Sequence, residues 1–336
     1  MDRRVRVLGW VLRRTMSVST MSEHDIIAAQ ARKLTHNPVI DRVFGAVARG
    51  VELEDRTFPG PTEELPLRIY RPAGAGGGHR PLVVNFHGGG FVLGGLDQAD
   101  WMCSSVAATV GAVVVSVDYR LAPTHPFPAA VEDCYVALTW AAEHASELGA
   151  GGGLGVMGES AGGNLSAVLC LLARDRGGPV IGHQALLYPA TDMTMTSSSI
   201  AENADAPILS RADMRAFRQH YLGAADPADP RLSPLLAENH GGLPPALIQV
   251  AEHDPLRDDG VRYAAALRSA GVPVRLTEYV GMPHGYLNFP GLCRGAPQAL
   301  AELCAEQATA LATAPVDRPG HTGDVTGTGP QAARES

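Results

Sequence analysis

The sequence predicts an α/β fold: a mostly parallel central sheet flanked by helices, with a helical cap. Three observations carry that prediction. Apolar runs of four to six residues, most of them rich in β-branched side chains, recur along the chain. Segments of helical composition separate most of them, and this alternation indicates a parallel sheet covered on both faces. Between Thr191 and Leu235 the rhythm stops for 45 residues, too long for an ordinary connection and therefore read as a helical insertion over one edge of the sheet.

Taken in order, residues from Glu23 to Val47 carry apolar positions three or four apart, the spacing of helices. Leu67 to Tyr70 alternates like a strand, and a glycine-rich turn from Ala73 to Gly78 leads to the run Leu82 to Phe86. Further strands are expected at Val113 to Val117, Leu154 to Met157, Ala185 to Tyr188, Ala246 to Val250 and Val274 to Tyr279. Helices are expected at Ala129 to Ala145, Ala161 to Arg174, Asp259 to Ala270 and Pro297 to Ala312, with Ala212 to Tyr221 the periodic piece of the insertion. Residues 51–312 thus form one main domain, preceded by N-terminal cap helices in 23–50 and interrupted by the insertion at 191–235. The stretch 313–336 is Gly, Thr, Pro and Arg without periodicity and reads as a disordered tail.

Composition bounds the function. The 336 residues are 45% hydrophobic and 18% charged, enough to bury a full core. A formal charge of −8 offers no basic surface for phosphate neutralisation, which argues against nucleic acid as a partner. Five scattered cysteines without a C-x-x-C pair read as buried thiols of a cytoplasmic protein. At the N-terminus, arginines precede an apolar run of six residues, Val7 to Leu12, shorter than the roughly 7 to 15 of a secretory core. Residues 1–22 are accordingly read as a loose basic extension, and no segment is long enough to span a membrane.

The chemistry concentrates at Gly158-Glu159-Ser160-Ala161-Gly162, a G-x-S-x-G pattern directly between an expected strand and an expected helix. A tight strand-to-helix turn leaves no room for side chains beside the serine and lifts its hydroxyl over the sheet, as in the α/β-hydrolase fold. A glycine-rich turn with an incidental serine would show the same pentapeptide, so the context decides. His87-Gly88-Gly89-Gly90-Phe91 follows the run Leu82 to Phe86, where an oxyanion loop belongs. Of Gly88, Gly89 and Gly90, the last two are the expected donors, joined by the N–H of Ala161 at the helix N-terminus. His87 is read as shaping that loop.

In this fold the nucleophile is followed by an acid and then a histidine, each at the C-terminal end of a strand. Asp254 lies 94 residues after the serine and just past one expected strand; His284 lies just past the next. Asp254 also suits a helix N-cap, a role compatible with catalysis. Asp258 and Asp259 are rival carboxylates expected to face away, and His240 and His253 are rival histidines at less suitable points. Gly153 to Gly158 satisfies G-x-G-x-x-G, but its own Leu-Gly-Val-Met is the strand, so the dinucleotide reading fails. No pattern implies a cofactor or a metal.

Together, His87 to Phe91, Asp118 to Pro123, His125 to Ala130, Gly158 to Asn164 and Asp254 to Asp258 closely resemble the bacterial hormone-sensitive-lipase family of α/β-hydrolase esterases. The resemblance runs from about Glu52 to Ala312. It implies hydrolysis of short acyl esters by a Ser160, His284, Asp254 triad, without cofactor, on a small-molecule ester, and it leaves a homodimer open. Two positions depart from the family: Thr124 stands where a charged residue is usual, and Glu159 where Asp or Thr is usual. Two alternatives accompany this reading. One is an N-acyl or O-acetyl deacetylase or amidase using the same triad. The other is a non-catalytic receptor of the gibberellin type, which lacks the histidine.

Overall fold

The computed structural model describes residues 5, 9, 17–35, 37–74 and 79–312. The tail at 313–336 and most of the extension at 1–16 lie outside the described residues. Eight strands form one sheet: β1 (Val51–Pro59), β2 (Glu64–Pro72), β3 (Leu82–Phe86), β4 (Val113–Val117), β5 (Leu154–Glu159), β6 (His183–Leu187), β7 (Ala246–His253) and β8 (Val274–Pro283). Their order is β1-β2-β4-β3-β5-β6-β7-β8, with β2 antiparallel to both neighbours and every pair from β4 to β8 parallel. The main helices are α1 (Glu23–Gln30), α2 (Pro38–Phe44), α3 (Asp100–Val110), α4 (Ala129–Glu143), α5 (Ala161–Arg176), α6 (Arg211–Leu222), α7 (Arg257–Ser269) and α8 (Ala296–Leu311).

Alternation along the strands splits the core into two layers. Val84, Val115, Leu186 and Ile248 face one apolar cluster with α4, α5 and α7. Val83, Val114, Ala185 and Leu247 face a second cluster with α3 and α8. Both faces are covered, so β3 to β6 carry no exposed residue. All five cysteines are buried.

The helices expected in 23–50 are two, because Pro38 disfavours helical backbone at Asn37 and instead starts α2 at its first position, with Asn37 as cap. Other expectations are corrected. Strand β1 escapes sequence reading because it is an edge strand, largely exposed and charged. Helix α3 was also not anticipated. The insertion lies over the C-terminal ends of the strands, not along an edge: its Phe217 ring occupies the space beside Gly90 of the loop after β3. Nor are residues 17–22 loose. The Ser17 hydroxyl donates to Asp213 of α6 at 2.6 Å, the Ser19 amide donates to the same carboxylate at 3.2 Å, and Val18 is buried. Among the described residues no helix is long and apolar enough to cross a membrane.

Candidate active site

Strand β5 ends at Glu159 and α5 begins at Ala161, so Ser160 alone makes the turn. Its backbone sits at φ 54° and ψ −115°, a conformation that L-residues avoid and that persists only where the surroundings enforce it. Enforcement comes from the Ser160 N–H, which donates to the Leu187 carbonyl at 2.8 Å, and from Asn164 N–H, which donates to the Ser160 carbonyl at 3.0 Å. Glycine is required next to it: a Cβ on Gly162 would lie 1.8 Å from the Phe86 carbonyl oxygen.

The pairing of β7 with β8 sets the other two groups. His253 stands opposite Pro283 in that ladder, so the residues that follow, Asp254 and His284, emerge side by side. His284 Nδ1 donates to Asp254 Oδ2 at 2.8 Å, and the Ser160 hydroxyl donates to His284 Nε2 at 2.9 Å. The other oxygen of Asp254 accepts the Leu256 N–H at 2.8 Å, and the carboxylate is fully buried. The three candidate residues therefore form one hydrogen-bonded chain, with the Tyr188 ring edge-on to the imidazole at 5.0 Å. The rivals are engaged elsewhere. His240 is bonded to the Pro234 carbonyl, Asp258 accepts from Ser199, and Asp259 accepts from Thr191, Asp192 and Ser197.

Within the oxyanion loop, Gly88 differs from the two expected donors. Gly88 N–H is engaged, donating to the Glu159 carboxylate at 3.3 Å. Gly89, Gly90 and Ala161 have N–H groups without a backbone acceptor among the described residues. Gly89 and Gly90 take φ values of 114° and 64°, open to glycine at no steric cost. His87 shapes this loop: its Nδ1 donates to the Gly88 carbonyl at 2.8 Å, its ring stacks on Tyr119 at 4.3 Å, and burial pushes the imidazole toward the neutral form.

Sequence reasoning noted Glu159 as a departure but missed what it holds. Besides Gly88, its carboxylate accepts from Gln98 at 2.5 Å, Tyr188 at 2.7 Å and Asn288 at 2.8 Å. No local motif announces these partners, which come from four separate segments. The cavity over Ser160 measures about 730 Å³ and is walled by α6 and the N-terminal segment as well as by the catalytic loops. That size suits a small organic substrate.

Comparison with known proteins finds hydrolases of this fold. A family model described as alpha/beta hydrolase fold matches residues 83–288. The chain is 48% identical over 289 residues, 84% of its length and 75% of the relative's, to the carboxylic ester hydrolase LipN of Mycobacterium tuberculosis. It is 37% identical over 246 residues, 70% of its length and 76% of the relative's, to an ethyl acetate hydrolase of Pseudomonas putida. Among solved structures, the ester hydrolase EH1AB1 from the metagenome of Lake Arreo superposes with a TM-score of 0.83 at 34% identity, covering 92% of this chain and 98% of that one.

Proposed function

The chain belongs to the hormone-sensitive-lipase family of α/β-hydrolase esterases, and on that premise we propose a serine carboxylesterase that hydrolyses short-chain acyl esters through an acyl-enzyme. The observation that carries the proposal is the unbroken hydrogen-bonded chain Asp254, His284, Ser160 at a strained strand-to-helix turn.

In the first step Ser160 Oγ forms a bond to the ester carbonyl carbon while its proton passes to His284 Nε2, 2.9 Å away. Asp254 keeps the imidazole proton on Nδ1, so that Nε2 is the free base, and stabilises the imidazolium that results. The carbonyl oxygen becomes an oxyanion facing the amides of Gly89, Gly90 and Ala161, the last at the positive end of α5. Collapse of this intermediate returns the proton from His284 to the departing alcohol and leaves an acyl group on Ser160. Water then attacks the acyl carbon with His284 again as base, releasing the acid and restoring the serine.

The relative named for ethyl acetate supports small acyl and alcohol groups. A receptor role is disfavoured by His284, which is present and bonded to the serine. Because the same triad would serve an amidase, p-nitrophenyl esters of graded chain length are compared with acetylated amines. The deciding variant is Ser160→Ala, for which ester turnover is expected to fall by several orders of magnitude. A loss of only a few fold would remove Ser160 from the mechanism.

A further inference from the structure

We propose that Arg218 is the anchor for a carboxylate carried by the substrate, so that the favoured esters are those with a free acid on one arm. The inference rests on the reading of Ser160 as the nucleophile of the cavity that both residues line.

Helix α6 lines that cavity with Asp213, Met214, Phe217, Arg218 and Tyr221. Arg218 is the cation among them. Among the described residues its guanidinium makes neither an ion pair nor a hydrogen bond, and its Nε is buried with no partner. An N–H withdrawn from water and left unbound is a costly state, and native proteins rarely keep one without a use. The missing acceptor is therefore supplied from outside the chain.

Neighbouring carboxylates cannot supply it. Asp213, on the same helix, already accepts from Ser17, Ser19 and Ser210. These donors hold it below the ordinary carboxylate range against the upward pull of burial. Asp192 is paired with Arg262 at 2.8 Å. The other cations of the cavity differ from Arg218: Arg68 is saturated by Asp55, Asp97 and Asp100, while Arg32 and Lys33 are exposed to water.

Position ties the charge to the reaction. A Cβ on Gly90 would lie 2.4 Å from the Phe217 ring, so α6 rests directly on the oxyanion loop, and the Cα of Arg218 follows that of Phe217 by about 3.8 Å. A guanidinium presents a planar fork that matches the two oxygens of a carboxylate, and one such fork balances a single negative charge. A phosphate dianion would call for a second cation on this wall, and the described residues provide none there.

The test uses the full-length protein and two matched substrate pairs. Monoethyl adipate is compared with its methyl-ketone analogue, ethyl oxoheptanoate, to place the charge on the acyl arm. The acetyl ester of γ-hydroxybutyrate is compared with its methyl-ketone analogue to place it on the alcohol arm. Expected for the wild type is a kcat/KM about tenfold or more higher for the acid of at least one pair at low salt, expressed in KM. In Arg218→Gln that ratio falls to about one, and Arg218→Lys retains part of it. Each ratio is internal to one protein, so a poorly folded variant lowers both values and leaves the ratio readable. Wild-type ratios at or below one in both pairs, or an unchanged ratio in Arg218→Gln, would overturn the proposal while leaving the esterase reading intact. Failure of the wild type to turn over any of the four esters would overturn both.

Discussion

The carboxylate of Glu159, the residue immediately before the nucleophile, accepts the backbone N–H of Gly88 in the oxyanion loop at 3.3 Å. Through Gln98, Tyr188 and Asn288 the same carboxylate reaches three further segments. The side chain is buried, so these donors are what make its charge tolerable, and in return it fixes the loop relative to Ser160. Glu159→Ala is expected to lower kcat by about tenfold to a hundredfold with a smaller change in KM, since oxyanion donors displaced by even an ångström lose much of their effect. Steady-state kinetics on a p-nitrophenyl ester reads this, and an unchanged kcat would show that the loop holds itself.

Asp254→Asn and His284→Ala each remove one link of the hydrogen-bonded chain. Asparagine at 254 can present its amide N–H to Nδ1 and so favour the wrong imidazole tautomer. Turnover is expected to drop by about a thousandfold or more in either variant, and the double variant by little more than the worse single one, because the groups act as a unit. Multiplicative losses would mean that the two residues act independently.

Gly162→Ala places a Cβ against the backbone oxygens of Phe86 and His87, at 1.8 and 2.7 Å, and Phe86, the end of β3, cannot move without disturbing its pairing with Gly158. The cost is expected at about 3 kcal/mol or more. A urea or guanidinium midpoint within error of the wild type would contradict it.

Asp259 gives a pH prediction. Burial, reinforced by the nearby charge of Asp192, pushes its carboxyl up from 3.8 to about 7, although Ser197 and two backbone amides donate to it. Because the folded value is the raised one, the proton is held more tightly in the native state. The contribution to stability is therefore complete below about pH 4 and is lost as pH rises through about 7. Asp259→Asn keeps an acceptor for Thr191 and Asp192 and a donor for Ser197 without the buried charge. Its Tm is expected to exceed the wild type's at pH 8 by several degrees, with the difference shrinking toward pH 4. A difference independent of pH would refute the assignment.

Parallel strands β3 to β7 were legible because each is a short apolar run buried on both faces over most of its length, and burial writes itself into composition. Edge strand β1 was not, since exposed positions accept charges freely. Ser160, Asp254 and His284 could be named because the turn after β5 and the ends of β7 and β8 leave local marks: a glycine-flanked serine, an acid and a histidine. The partners of Glu159 and the unbonded Arg218 left no mark, because their meaning depends on what lies opposite.

By itself, then, the sequence determined the alternation of strands and helices, the strand-to-helix turn that exposes Ser160, and the order in which acid and base follow it. These are local matters, settled by side-chain periodicity and by the space that glycine frees. Only the tertiary structure decided that residues 30 and 124 positions apart meet at 2.8 and 2.9 Å. Parallel pairing sets Phe86 beside Gly158 and His253 beside Pro283, and a one-residue slip in either ladder would carry a catalytic loop out of reach. The same long-range packing lays α6 on the oxyanion loop and brings Arg218 into the cavity with Ser160.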